Sequence, residues 1–230
     1  MLKKEVERLL LKVQKPGRYV GGESNSVMKK TEEVKVRFAF CFPDVYEVGM
    51  SHLGMKILYG QFNSIPDVWC ERVFAPWVDM EAEMRAHDVP LFALESGDPI
   101  TDFDFIGFTL QYELSYSNVL NMLDLAHIPL RSRDREGLSR IVVAGGPCAC
   151  NPEPIADFID LIFLGEGEEV DLEVIELYKR MKEQGASRAE FLRAAAQIPG
   201  VYVPSLYEVS YGTDGLIASV TPKDGAPATV

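Results

Sequence analysis

Apolar residues along this chain follow two periods that take turns. Val34, Val36, Phe38, Ala39, Phe40, Cys41 and Phe42 form an almost unbroken apolar run, as in a strand covered on both faces rather than wet on one. Similar runs recur at Val68 to Phe74, Asp104 to Leu110, Ile141 to Ala144 and Leu161 to Leu164. Between them the spacing lengthens to three and four residues. Leu53, Ile57, Leu58 and Phe62 predict a helix from Ser51, or the residues just before it, through Asn63, and Met80 and Met84 predict one over Val78 to Ala86. Val119, Leu120, Leu123 and Leu125 predict a helix over Ser115 to Ala126, and Val170 to Gln184 is strongly helical. A short strand is expected at Leu91 to Leu94. Strands and helices that alternate in this way require a parallel sheet with right-handed crossovers and helices on both faces.

The expected architecture is therefore α/β: a flavodoxin- or Rossmann-like sheet of five strands, with the extra short strand at an edge. Its flanks differ in character. Val6, Leu9, Leu10 and Val13 sit at helical spacing opposite charged residues, which predicts an amphipathic helix over Leu2 to Val13. Pro16 to Thr31 turns to Gly, Ser, Asn and Lys and reads as a wrapping arm. Near the other end, a helix over Ser187 to Gln197 precedes two alternating runs, Tyr207 to Tyr211 and Leu216 to Val220. The Asp214-Gly215 pair between them predicts a β-hairpin. The expected division is an N-terminal helix and arm over 1–33, the Rossmann-type domain over 34–184, a helix and hairpin over 185–222, and the start of a linker over 223–230.

Composition narrows the function classes. At 47% hydrophobic and 25% charged, the chain reads as an ordinary globular domain, and no apolar run approaches the roughly 20 residues of a membrane span. No signal peptide is expected, and a cytoplasmic location is. A net charge of -12 disfavours direct nucleic-acid binding, which requires clustered Lys and Arg to displace counterions. The four cysteines, Cys41, Cys70, Cys148 and Cys150, are too few and too scattered for a disulfide framework. Cys148 and Cys150 form only a C-x-C pair, short of a metal or cluster ligand set.

Ligands of open α/β sheets bind beyond the carboxyl ends of the strands, at the loops. Three such loops stand out: Asp44 to Gly49, Thr109 to Tyr112, and Gly145 to Pro147. DVYEVGMSHLGMKIL resembles the segment that cobalamin-binding Rossmann-type domains carry after their first strand, Asp-x-His-x-x-Gly, with Asp44, Tyr46 and Gly49 in those places. IGFTLQ resembles the second element of that family, with Thr109 at its serine. VVAGGP resembles the third, a Gly-Gly floor for the nucleotide tail. GGPCACNPEPIADFIDLIFLGEGEE is similar to the segment that cobalamin-type radical S-adenosylmethionine (SAM) proteins carry before their barrel.

The resemblance implies cofactor-binding positions at Asp44, Tyr46, Gly49, Ser51, Thr109, Leu110, Gln111, Tyr112, Gly145, Gly146, Pro147, Gly165 and Glu166. It implies cobalamin as cofactor and a radical SAM barrel as partner, in cis or in trans. A [4Fe-4S] cluster and S-adenosylmethionine would belong to that barrel, because this chain has no C-x-x-x-C-x-x-C motif. Tyr46 stands where the histidine would be, and a phenol is a poor axial ligand at neutral pH, so the corrinoid is expected base-off, without a histidine from this loop. His52, at a helix start, is expected on the helix surface or in the core. Two alternatives stay open: a cobalamin-free docking or substrate-recruiting domain of the same protein, and a stand-alone flavodoxin-like nucleotide- or flavin-binding protein. The acidic Glu166, Glu168 and Glu169 also fit the first turn of a helix.

Overall fold

In the computed structural model, which describes residues 2–230 and their side chains from Lys4 onward, each apolar run becomes a strand. The order is α1 (Leu2–Leu10), β1 (Val36–Phe42), α2 (Tyr46–Ser51), α3 (Leu53–Ser64), β2 (Val68–Phe74), α4 (Val78–His87), β3 (Phe105–Thr109) and α5 (Tyr116–Leu125). There follow β4 (Ile141–Gly145), β5 (Leu161–Phe163), α6 (Gly167–Glu183), α7 (Arg188–Ala195), β6 (Val201–Tyr202) and the hairpin β7 (Tyr207–Tyr211) and β8 (Ile217–Pro222). The sheet order is β2-β1-β3-β4-β5-β6, with β1 through β5 parallel and β6 antiparallel to β5. The chain leaves β1 for β2 on one side and returns to β3 on the other, so the topological switch point lies between β1 and β3.

Burial follows from this order. Every residue of β1 is buried, because strands flank it and helices cover both faces. One face presents Phe38 and Phe40 of β1, Gly107 and Thr109 of β3, Val143 and Gly145 of β4 and Phe163 of β5, as the parallel register requires. Over it lie α3 and α6, joined by a hydrogen bond from Gln61 Nε2 to the Glu168 carbonyl. The opposite face lies under α4 and α5, which Arg85 ties together through Asp124 (2.7 Å) and Asn121 (2.6 Å).

Two local expectations are corrected. The helix expected from Ser51 breaks into α2 and α3 at His52, whose backbone is extended and whose imidazole Nδ1 accepts the Met55 amide at 3.2 Å. That N-cap bond competes with a continuous helix, and its geometry suits α3 alone. The short strand expected at Leu91 to Leu94 is not one: Phe92 forms a single bridge to Pro99. The Gly97-Asp98-Pro99 turn folds the segment on itself, with Ala93 N bonded to Asp98 O and Ile100 N to Leu91 O. The short edge strand of the sheet is β6 instead.

β2 is the other edge, yet all seven of its residues are buried. Carboxylates and the arm cover it. Glu95 accepts both the Arg72 amide (2.7 Å) and the Arg72 Nε (2.6 Å), and Glu71 pairs with Arg37 at 2.5 Å. The arm lies across the same edge: Lys29 donates to the carbonyls of Asn63, Ile65 and Val68, and the Val27 carbonyl accepts from Trp69 Nε1 at 3.0 Å. An edge closed in this way offers no row of unpaired amides to another chain.

Two stability predictions follow from these contacts. Glu95→Ala leaves the Arg72 charge buried without its main partner and is expected to cost about 3–5 kcal/mol, read as a lowered denaturation midpoint in urea. A Cβ at Gly107 would sit 2.4 Å from Phe38 Cζ. Gly107→Ala must therefore displace a ring packed against Phe62 and Phe105, at an expected cost of roughly 1–3 kcal/mol in thermal denaturation.

Candidate functional site

The sheet face under α3 and α6 is not filled. A cavity of about 240 Å³ runs there from the strand interior to the carboxyl ends of β3, β4 and β5. Phe38, Phe40, Phe62, Val143 and Phe163 make it apolar, and glycines at 107, 145, 146, 165 and 167 supply wall without side chains. At its mouth, Gln111 Nε2 donates to Thr109 Oγ1 at 2.6 Å. Gly146 has φ of +100°, and a Cβ there would lie 2.8 Å from the Leu110 carbonyl oxygen. Only glycine fits that turn.

Of the sequence-expected residues, Thr109, Gln111, Gly145, Gly146, Pro147, Gly165 and Glu166 line this cavity. Asp44, Tyr46, Gly49, Ser51, Leu110 and Tyr112 lie outside its wall, and most of them gather around the switch point. The Asp44 carboxylate accepts from the Val45 amide (2.7 Å) and from the Tyr112 hydroxyl (2.7 Å), so the loops after β1 and β3 are latched together. Asn118 adds a bond to the Pro43 carbonyl at 2.9 Å. Gly49 lies under Phe74, where a Cβ would clash at 2.4 Å. The Ser51 hydroxyl donates to the Val48 carbonyl, and Leu110 is buried with its amide bonded to Gly145.

Tyr46 turns toward the arm. Its hydroxyl donates to Glu23 at 3.1 Å and its ring meets Phe74 edge-on. Glu23 in turn reaches Arg72. Burial, with Glu23 adding to it, pushes the Tyr46 phenol above its ordinary value, so it stays protonated and does not offer a phenolate to a metal.

Three titratable wall residues lie outside the set expected from the sequence. His52 lines the cavity from the α2–α3 junction. Because its Nδ1 accepts the Met55 amide, the neutral ring carries its proton on Nε2, where it is a donor rather than a metal ligand. Glu168 and Asp171 belong to the first turns of α6. Asp171 is 6% exposed, and its Oδ1 has no hydrogen-bond partner among the described residues. Burial, and secondarily the nearby Glu168 charge, pushes its carboxyl up to about 8. The absent Cβ of Gly167 leaves space for this group, since one there would stand 3.0 Å from Asp171 Oδ2. A signal for it exists in the sequence: Asp171 shares the stripe of Val170, Val174, Ile175 and Tyr178, where a lone carboxylate is out of place.

Among the described residues no group of three or more His, Cys, Asp or Glu side chains could hold a metal ion. Cys148 is half-buried and Cys150 exposed. No helix of the described residues is long and apolar enough to cross a membrane.

No solved structure matches this chain. The uncharacterized protein MJ0966 of Methanocaldococcus jannaschii is 30% identical to it over 140 residues, 60% of this chain and 26% of that protein. The chain therefore spans roughly a quarter of the length of the relative it matches. The family described as radical SAM proteins, N-terminal, matches residues 54–204, which run from the start of α3 past β6 and take in most of the cavity wall. With its sheet order, its strand-end cavity and a match over well more than half its length, the chain belongs to the family of N-terminal domains of radical SAM proteins.

Proposed function

We propose that this chain is the cofactor-holding module of a radical SAM protein: it binds a corrinoid in base-off form, receives the nucleotide tail in the cavity under α3 and α6, and presents the corrin toward the SAM domain. The carrying observation is the cavity itself, open at the strand ends and walled by Gly107, Gly145, Gly146 and Gly165. A Cβ at Gly145 would meet nothing nearer than Phe163 at 3.7 Å, and one at Gly165 nothing within 4 Å, so the space beside these two is free. The donor set also suits a tail rather than a metal: Thr109, Gln111 and the Gly146 amide can bind ribose- or phosphate-like oxygens, and no described wall residue offers cobalt a ready ligand. When bound, the corrinoid supplies alkyl-group or radical chemistry through its cobalt; this chain's residues orient it and exclude water.

The apolar surface around the mouth supports the placement of the SAM domain. Leu53 is 68% exposed, Val78 69% and Leu114 86%, with Val48, Trp77 and Tyr112 also exposed. All follow the carboxyl ends of β1, β2 or β3, so they ring the same end of the sheet as the cavity mouth. An apolar rim of this kind marks a contact surface. The SAM domain, in cis or in trans, is the occupant this reading gives it, and any iron-sulfur cluster and S-adenosylmethionine reside there.

A second reading is a docking domain that holds no corrinoid. The latching of Tyr46 to Glu23 and of Asp44 to Tyr112 favours it, because the loop that would face cobalt is closed on itself.

Titration of the chain with hydroxocobalamin, followed by its absorbance, separates the two. The expected result is saturable binding with a base-off spectrum lacking a histidine ligand, unchanged in Tyr46→Phe. An unaltered spectrum at saturating corrinoid supports the docking reading, and a histidine-ligated spectrum contradicts the ligand assignment.

A further inference from the structure

We infer that the hairpin β7–β8 is a docking platform at the amino-terminal end of the sheet, and that its occupant is an amphipathic helix of a partner protein whose apolar stripe is flanked by carboxylates. None of the residues around the cavity under α3 and α6 takes part, so this surface stands or falls independently of the corrinoid.

The hairpin forms a sheet of its own, and in its two strands only Tyr207 is buried. Its faces are nevertheless sorted. Tyr207, Val209 and Tyr211 alternate onto one face, and the register sets Pro222, Val220 and Ile217 opposite them. The other face carries Glu208, Ser210, Ser219 and Thr221, with the two serine hydroxyls 2.7 Å apart. A two-stranded ribbon is marginal by itself and requires a further layer over its apolar face. The body supplies that layer only in part. Between this face and the segments 131–133 and 153–157 runs a groove of about 480 Å³, and Tyr211, Ile217 and Val220 stay exposed.

The groove lies away from the cavity mouth. Residues 131–133 lead from α5 into the amino end of β4, Asp157 pairs with Arg131 there, and the antiparallel β6 carries the chain toward the same end. It is thus a second surface, distinct from the apolar rim at the strand ends.

Charge and shape select the occupant. The two carboxylates of the groove are engaged: Asp157 pairs with Arg131, and Glu153 accepts the Tyr202 hydroxyl at 2.7 Å. Two cations are not. Arg133 reaches only Asp134, at 3.8 Å, and Lys223 has no ion pair among the described residues. In a chain of net charge -12, a groove whose free charges are positive favours a partner that brings carboxylates. Stacked bases are disfavoured. The Tyr202 and Tyr207 rings meet each other with centroids 4.9 Å apart, and the Tyr207 hydroxyl is held by the Pro227 carbonyl. The six residues of β8 span about 20 Å, the length of a helix of about 14 residues, and a helix laid on a sheet face buries its stripe there.

Two peptides of about 14 residues test this, each with Leu at helical spacing on one face; the flanking positions are Glu in one and Gln in the other. Each is titrated into the intact chain at about 50 mM and about 500 mM salt, and binding is measured and located by heteronuclear NMR. The Glu peptide is expected to shift Arg133, Val209, Tyr211 and Val220. At low salt it should bind about fivefold or more tighter than the Gln peptide, the worth of two exposed ion pairs, and high salt should shrink that advantage. Arg133→Gln combined with Lys223→Gln should abolish it, and Val220→Asp should weaken both peptides. All three positions are exposed, and thermal denaturation checks that each variant is folded.

Binding of neither peptide, equal binding of the two at low salt, shifts confined to other parts of the chain, or affinities unchanged by the variants overturn the inference. So does another occupant. A concentration-dependent dimer in sedimentation that Val220→Asp dissolves gives the face to a second copy of this chain. A single-stranded oligouridylate that shifts these residues where the Glu peptide does not gives it to nucleic acid.

Discussion

In the strand register Phe40 stands beside Gly107, and Thr109 beside Gly145. The Phe38 ring takes the place of a side chain at the first glycine, and nothing takes it at the second; that difference is the constraint on which the rest of the site depends. A parallel sheet between two helical layers normally closes by interlocking side chains at the density of an organic crystal. Here one layer closes and the other does not. Under α4 and α5 the core is continuous, with Met80, Met84, Val119 and Leu123 fully or almost fully buried. Under α3 and α6 the aromatic residues of β1 and β5 stand around a gap, and the polar groups of Thr109, Gln111, His52 and Asp171 face it or border it. Glycine in a strand costs stability relative to a residue that packs, and an unpaired carboxylate in an apolar wall costs more. Both occur at one place, which is how functional sites differ from cores.

The neighbouring buried charges have a different logic. Arg72 with Glu95 and Arg37 with Glu71 are as buried as Asp171, but each has a partner at hydrogen-bond distance, and each seals the β2 edge. They hold the arm and the 91–99 turn against the sheet. Through Ser26, Glu23 and Tyr46 the same network reaches the loop after β1. Position and partnering distinguish these structural charges from Asp171, although all are polar groups in the core.

The sheet was legible in the sequence because burial on both faces produces unbroken apolar runs, and the five parallel strands follow from those runs. What failed was local. Leu91 to Leu94 is apolar enough for a strand, but the Gly97-Asp98-Pro99 turn spends its hydrogen bonds elsewhere. His52 breaks a helix that spacing alone would continue, because one imidazole–amide bond decides the cap. For the site, the Gly145–Pro147 turn and Thr109 announce themselves by their place at strand ends. Asp171 shows in the sequence only as a carboxylate on an apolar stripe, because its meaning depends on having no partner, and partners come from the fold.

The central claim is that the gap beside Gly145 is room kept for a ligand. A Cβ at Gly145 would meet only Phe163, at an ordinary 3.7 Å, so Gly145→Val has space to enter. Scanning calorimetry of this variant with and without hydroxocobalamin is the most direct test. The expected result is a transition above that of wild type without corrinoid, by about 2–4 °C for each kcal/mol gained, and no further rise on adding it, while wild type does rise. A lower transition without corrinoid, or a corrinoid-induced rise equal to that of wild type, would contradict the claim.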